Sequence, residues 1–88
     1  METREYKTDE IVEIGDVVCM KVRHAFDTMI ITHIDNDVVA TLVRPHVQVN
    51  EHEVYIHREI VKVDVSTLRE TFLIFVTDSG NKDNRYIS

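Results

Sequence analysis

A turn signal followed at once by a short apolar run, between Ile14 and Val22, limits the folds open to this chain. Gly15-Asp16 supplies the turn, and the apolar residues begin at Val17. An apolar run of this length, bounded by a turn, is typical of a buried strand. The sequence therefore predicts a first strand over residues 17–22, preceded by a short leading strand or a tethered segment at residues 11–14. Later apolar segments are expected to pair with this strand or to cover it.

Residues 28–43 predict a β-hairpin. Residues 28–34 and 38–43 are rich in β-branched types, which favour strands. Between them lies Asp35-Asn36-Asp37, and Asp and Asn tolerate the left-handed backbone that tight turns require. Pro45 lacks a backbone N–H, so we predict that this strand ends there or lies at an edge. A polar connection is expected over residues 46–53.

Residues 54–63 predict a fourth strand. The apolar face switches between Ile60 and Val61, which indicates a bend or bulge near Glu59. Thr67 and Glu70 have the spacing of a capping box. We predict one helical turn at residues 66–69 and a last strand at residues 71–77, and a helix over residues 67–76 is the alternative.

The order of these elements is strand, hairpin, long loop, strand, helical turn and strand. This order predicts an all-β fold, a small five-stranded SH3-like and partly open barrel with one short helical turn before the last strand. A partly open five-stranded Greek-key barrel is the alternative. The predicted domain covers residues 11–77. Residues 1–10 are expected to form a flexible N-terminal arm with Tyr6 as its apolar anchor, and residues 78–88 a C-terminal tail in which Tyr86 and Ile87 could add a strand.

Composition narrows the class of protein. A chain of 88 residues holds one hydrophobic core. Its longest apolar run, residues 72–76, is too short to span a membrane, and its first residues do not resemble a secretory signal. The net charge of −6 argues against direct nucleic-acid binding and against binding to anionic membranes. One cysteine, Cys19, fits a reducing cytoplasm.

Two groups of short motifs carry a resemblance to known proteins. The Gly15-Asp16-Val17-Val18 entry, the strand at residues 29–31 and the Asp-rich hairpin resemble KOW-type and other small SH3-like barrels. Residues 42–46, 55–59 and 72–74 resemble small accessory proteins of tailed bacteriophages. The likeness spans roughly residues 12–77. It implies a phage or prophage origin and a location in the cytoplasm of a bacterial host cell.

A candidate binding site for a ligand or partner lies around Arg44. Strand alternation puts Arg44 and His46 on one face, and Pro45 stiffens the chain between them. Tyr55, His57 and Arg58 from the next strand are expected nearby. Such a group suits an anion, because the Arg fork binds phosphate or carboxylate with two bonds. Alternatively, the two arginines form ordinary surface ion pairs with acidic residues, and those are Glu51, Glu53 and Glu59.

Metal binding and catalysis find little support in the sequence. The five histidines lack the spacing of a metal site, so no metal and no cofactor are expected; they are His24, His33, His46, His52 and His57. Cys19 is predicted to be a small buried hydrophobic residue. Ser66 and Thr67 are explained as helix caps, and two glycines do not make a phosphate loop. We therefore predict that the protein is not an enzyme.

Three hypotheses for function follow. The first is a non-enzymatic accessory binding protein of phage type that engages and inhibits a bacterial host protein, in host takeover or anti-defence. An acidic N-terminal run could then mimic nucleic acid, although a solvated arm explains it equally simply; the run is Glu2, Glu5, Asp9, Glu10 and Glu13. The second is an oligomeric sequestering protein for a nucleotide-like anionic small molecule. The third is a small virion or assembly component. A homo-oligomer, most simply a dimer, is expected because open strand edges need covering.

Overall fold

The structure, a computed structural model, describes residues 2–22, 28–49 and 54–83, and the side chains of residues 45–49 and 54–58 are outside this description. One antiparallel sheet contains six strands in the order β1-β6-β2-β3-β4-β5. The elements are β1 (Glu2–Arg4), β2 (Val17–Met20), β3 (Met29–Asp35), β4 (Val39–Val49), β5 (Val54–Asp64), α1 (Val65–Thr71) and β6 (Phe72–Val76). The predicted all-β class and the short helix before the last strand are confirmed.

The sheet is not closed into a barrel, and it has six strands where we predicted five. The additional strand, β1, comes from the segment predicted to be an arm, and it pairs antiparallel with β6, Thr3 opposite Phe75. Because β6 also pairs with β2, its two edges are both occupied by strands of this sheet. Residues 11–14 form no strand, so the alternative of a tethered segment fits, and the first central strand ends at Met20 instead of Val22.

The predicted hairpin is confirmed in β3 and β4. Asn36 and Asp37 have φ angles of 49° and 58°, and the Val38 N–H donates to the Asp35 carbonyl at 2.9 Å. Two consecutive left-handed residues are the geometry of the tight turns that join antiparallel strands. The local sequence was therefore sufficient to predict this turn.

Of the two alternatives for Pro45, a strand end or an edge position, the structure fits the second, because β4 continues to Val49. The Val65 N–H donates to the Val38 carbonyl at 2.7 Å, so alternation directs the even-numbered backbone groups of β4 towards β5. Pro45 is odd-numbered and therefore faces the β3 side. The last β3–β4 pair is Ile30 with Val43. Because β3 has no residue opposite Pro45, the absence of an N–H at Pro45 costs no hydrogen bond between β3 and β4.

Two local predictions about β5 and α1 are wrong. The β4–β5 register is continuous from Val39↔Asp64 to Val49↔Val54, so no bulge occurs near Glu59, and the irregularity of the sheet lies in β3 instead. The helix begins earlier than the proposed capping box, with Asp64 as its N-cap. Thr67 lies inside the helix, where its carbonyl accepts the Thr71 hydroxyl at 2.7 Å. The longer helix is excluded because the chain enters β6 at Phe72.

The main core lies on the face of the sheet that α1 and the N-terminal segment cover. Its buried members are Tyr6, Val18, Met29, Ile31, Ala40, Leu42, Leu68, Phe72, Ile74 and Val76. A smaller cluster on the other face contains Val17, Cys19 and Phe75. Cys19 is 2% exposed, as a small buried hydrophobic residue should be. Of the described residues, none belongs to a helix with the length and apolar character that a membrane span requires.

Candidate functional site

The far ends of β4 and β5 form a two-stranded extension of the sheet. The last β3–β4 pair is Ile30↔Val43, whereas β4 and β5 stay paired from there to Val49↔Val54. Residues 44–49 and 54–59 are here called the projecting arm. Among the described strands, these residues pair only with each other. A strand pair whose outer backbone edges no described strand occupies is a surface on which another polypeptide can add a strand.

The five residues predicted to form a site all belong to the projecting arm. The register pairs His46 with His57 and Pro45 with Arg58, and it sets Tyr55 opposite Gln48. Cross-strand partners share a face, so the strand positions of four members coincide on one face: Arg44, His46, Tyr55 and His57. Position 58 falls on the opposite face. The shared face predicted for Arg44 and His46 fits the alternation of β4, and the positions of Tyr55, His57 and Arg58 lie on the paired strand as expected. The side chains of residues 45–49 and 54–58 are outside the described part.

Arg44 is held by an ion pair within the chain. Its guanidinium donates from Nε to Glu59 Oε2 at 3.1 Å and makes a second contact from Nη2. The side chain of Arg44 is 17% exposed and that of Glu59 is 44% exposed. This is the ordinary pairing that was the alternative to an anion site. An anion that binds Arg44 must compete with Glu59.

A polar network that the sequence analysis did not anticipate fixes residues 5–16, here called the N-terminal strap. The buried Tyr6 hydroxyl donates to Asp16 Oδ2 at 2.7 Å, and the same oxygen accepts the Glu13 N–H at 3.0 Å. Lys82 Nζ contacts that oxygen at 3.1 Å and Glu13 Oε1 at 2.7 Å. Burial, the bond to Asp16 and the negative charge of Asp16 raise the pKa of Tyr6, so its hydroxyl remains a donor.

Two arginines attach the other half of the strap. Arg69 of α1 donates to the carbonyl of Lys7 at 2.6 Å and also reaches the carbonyls of Thr8 and Glu10. Arg4 forms a two-bond pair with the Glu10 carboxylate, at 2.6 and 2.8 Å. The hydrogen bonds from Arg4 are the main cause that lowers the pKa of Glu10 to about 2.

Several members of the acidic N-terminal run are used inside the molecule. Glu5 pairs with Lys21, Glu10 pairs with Arg4, and Glu13 pairs with Lys82. Three of the five acidic side chains in the run therefore have part of their charge compensated by the chain itself. This leaves less charge for mimicry of nucleic acid than the sequence suggested. Tyr6, as an aromatic residue in an otherwise polar stretch, was the available signal that this segment is anchored.

An open groove lies between the strap, the β3–β4 turn and α1. It has a volume of about 390 Å³ and is lined by Ile11, Val12, Ile34, Asp37, Val65 and Arg69. Ile11 is 67% exposed there. The guanidinium of Arg69 is already engaged by strap carbonyls and lies 5.7 Å from the centre of the Tyr6 ring. The groove therefore combines apolar walls with polar ones, which include Asp37.

Histidine positions do not assemble a metal site in the described part. The His33 ring lies 2.8 Å from Asp35 on the exposed surface. Within residues 2–22, 28–49 and 54–83, as far as their side chains are described, no three His, Cys, Asp or Glu residues come together as ligands.

Comparisons of this chain with protein-family models, with curated proteins and with solved structures find no match.

Proposed function

We propose that this protein is a non-enzymatic binding protein that engages and inhibits a bacterial host protein, and that the projecting arm is its contact surface. One observation carries the proposal. Residues 44–49 and 54–59 extend past the last β3–β4 pair, so this part of the hairpin is supported by no third strand of the described sheet. A hairpin of this kind presents backbone donors and acceptors along its edges to a partner.

Charge and resemblance favour a host protein as the partner. The chain has a net charge of −6, which favours a basic protein surface over a nucleic acid. The likeness of residues 42–46 and 55–59 to phage accessory proteins falls on the arm and its base. The inhibition of a host enzyme or defence protein is the activity that this combination supports. As part of the same proposal we infer an SH3-like ancestry, since α1 lies just before the last strand, as the helical turn does in those barrels.

A shortened-arm variant tests this proposal. Replacing residues 45–58 with Asn-Gly joins Arg44 to Glu59, which are already paired across the two strands. Alternation makes them a hydrogen-bonded pair, the arrangement that a two-residue Asn-Gly turn closes. The core residues and the strap are untouched. Tagged wild-type and shortened proteins are incubated with bacterial lysate, captured proteins are identified by mass spectrometry, and each is then purified and assayed with and without wild-type protein.

The expected result is a host protein that wild type captures and inhibits and that the shortened-arm variant releases. Circular dichroism and the thermal midpoint of the variant show whether the rest of the fold is kept. Equal capture by both proteins would contradict the role of the arm. A captured protein whose activity is unchanged by wild type would contradict inhibition.

A second candidate is the sequestration of a nucleotide-like anion. It is favoured by the coincidence of Arg44, His46, Tyr55 and His57 on one face of the paired strands, as the register and alternation give it. Glu59 competes with such an anion for Arg44. The variant Glu59→Gln should then tighten nucleotide binding in a thermal-shift titration, and Arg44→Gln should weaken it. A midpoint that no nucleotide moves in any of the three proteins would exclude this candidate.

A further inference from the structure

β5 is an end strand of the described sheet, and one complete edge of its backbone faces away from β4. The Val65 N–H donates to the Val38 carbonyl, and this bond continues the β4–β5 register. Hydrogen-bonded and non-hydrogen-bonded pairs alternate along an antiparallel ladder. The odd-numbered residues of β5 therefore direct their N–H and C=O groups towards β4. The outward edge belongs to the even-numbered residues, among them Ile60, Lys62 and Asp64.

This edge lacks three of the features that protect an isolated strand, since it is long, regular and free of proline, but it does carry charged residues at Lys62 and Asp64. The β4–β5 register contains no bulge across eleven residue pairs, and β5 contains no proline. Ile60 is 63% exposed, although it lies near the middle of the strand. Long regular edges with exposed apolar residues tend to pair with another strand, since natural edges are otherwise short, bulged or interrupted by proline.

We propose that β5 pairs with β5 of a second copy of this chain, antiparallel, about a two-fold axis at Val61. A two-fold axis perpendicular to the sheet sets each residue opposite a residue of the same parity, because partners across a ladder share a face. With the axis at Val61, the paired positions are 58–64. Arg58 of each copy then lies opposite Asp64 of the other, and Ile60 lies opposite Lys62.

Charge and the length of the paired segment together select this axis among the neighbouring ones. An axis at Val63 also sets opposite charges together, Lys62 against Asp64, but it pairs only residues 62–64 because α1 begins at Val65. An axis at Arg58, Glu59 or Lys62 sets that residue against its own copy, and an axis at Ile60 sets Arg58 against Lys62. Each of these registers opposes like charges, which destabilises a cross-strand pair. An axis at Val61 instead sets Arg58 opposite Asp64 twice, once in each direction across the interface. The aliphatic stem of Lys62 can also cover the exposed Ile60 of the other copy.

A second copy of this chain matches the β5 edge better than a foreign strand does. The acidic and basic positions that match are both carried by this one strand, as a two-fold interface requires. The resulting sheet would be continuous through both copies. Seven paired residues per strand make a small interface, so we expect a reversible dimer whose population depends on concentration.

Sedimentation velocity over a wide concentration series tests the use of this edge. Ile60→Pro removes an outward N–H without removing a bond to β4, and proline is tolerated at such edge positions. Ile60→Thr is the matched control, because it keeps the N–H and a β-branched side chain. We expect wild type and Ile60→Thr to dimerise, and we expect Ile60→Pro to have a dissociation constant at least about tenfold higher.

A charge-swap series tests the axis. Arg58→Asp and Asp64→Arg should each weaken the dimer, and the double variant Arg58→Asp/Asp64→Arg should restore it to near the wild-type dissociation constant. Circular dichroism of dilute samples monitors the fold of every variant. Wild-type protein that stays monomeric at every concentration would overturn the dimer, and an Ile60→Pro variant that dimerises like wild type would overturn the β5 edge. A double variant no tighter than its single variants would overturn the axis at Val61. A monomer would leave the host-capture result unaffected, so the two proposals fail separately.

Discussion

The strap end and the arm end of this molecule are stabilised in different ways. At the strap end, side chains distant in sequence meet, and Tyr6, Asp16 and Lys82 form one buried polar network beside the main core. At the arm end, residues 44–49 and 54–59 are paired with each other and with no other described strand. The first arrangement ties both ends of the strap to Lys82. The second depends on one ladder of neighbouring strands.

This contrast predicts that the strap end contributes mainly to stability and the arm mainly to binding. Local opening costs least free energy where few buried contacts hold a segment, and binding surfaces are often drawn from such regions. The core residues Leu68, Ile74 and Leu42 are fully buried, whereas the described base of the arm is held by the partly exposed Arg44–Glu59 pair. We therefore expect substitutions at the strap end to change stability and substitutions in the arm to change binding.

The largest expected effect is in the core. Leu68→Ala removes a fully buried side chain of α1 and should lower the free energy of unfolding by about 3 kcal/mol, because it leaves a cavity between helix and sheet. The shortened-arm variant should change the free energy of unfolding by less than about 1 kcal/mol. Urea denaturation followed by circular dichroism measures both. A shortened arm that costs as much as Leu68→Ala would remove the distinction between the two ends.

A smaller effect is expected at the buried hydroxyl of the strap. Tyr6→Phe removes the donor at 2.7 Å from Asp16 and leaves that carboxylate with fewer hydrogen bonds, which should cost about 1.5 kcal/mol. Asp16→Asn and the double variant complete a double-mutant cycle in urea denaturation. Additive effects in the cycle would show that these two side chains are not coupled.

The ion pair between Arg4 and Glu10 predicts acid sensitivity. Hydrogen bonds from Arg4 hold the pKa of Glu10 at about 2, below its ordinary value of 4.5. The unfolded chain therefore takes up this proton first, so the stabilisation is present above about pH 4.5 and is lost as the pH falls towards 2. The loss should be about 1 kcal/mol, since the pair is partly solvated. Urea denaturation of wild type and Glu10→Gln across this range measures it, and identical pH slopes would contradict it.

The smallest effect is expected at the base of the arm. A double-mutant cycle of Arg44→Ala and Glu59→Ala should give a coupling energy below about 1 kcal/mol, because solvent screens a partly exposed pair. The same cycle at Arg4 and Glu10 should give a larger value, because Glu10 is less exposed than Glu59 and the pair bonds through two atoms of each side chain. Thermal unfolding compares the two cycles. A larger coupling in the arm would reverse the comparison.

Local patterns predicted the parts of the fold whose cause is local. The Asp35-Asn36-Asp37 turn formed as expected, since its residues accept the left-handed backbone at Asn36 and Asp37. The run from Phe72 to Val76 became a strand as expected, one residue shorter at each end than the predicted 71–77. The sequence left Pro45 open between a strand end and an edge position, because proline ends a strand only where a neighbour needs its N–H. Whether β3 extends far enough to need it is a property of the assembled sheet.

The candidate site shows the same division. The sequence identified Arg44 and the following strand as neighbours, and the register of β4 and β5 agrees. It did not identify Arg69 and Lys82 as partners of the strap, because each meets residues about sixty or more positions earlier in the chain. No periodicity in a short segment encodes such a contact.

Strand content, turn chemistry and acidic charge could be predicted from the residues alone. The first two depend on residues within a few positions of each other, and the charge is a sum over the residues. The order of strands, the open edge of β5 and the anchoring of residues 5–16 arose only when distant segments packed together. The physical reason is that backbone preference acts over one turn or one pleat. Edge pairing and burial depend on which surfaces are still free after the rest of the chain has folded.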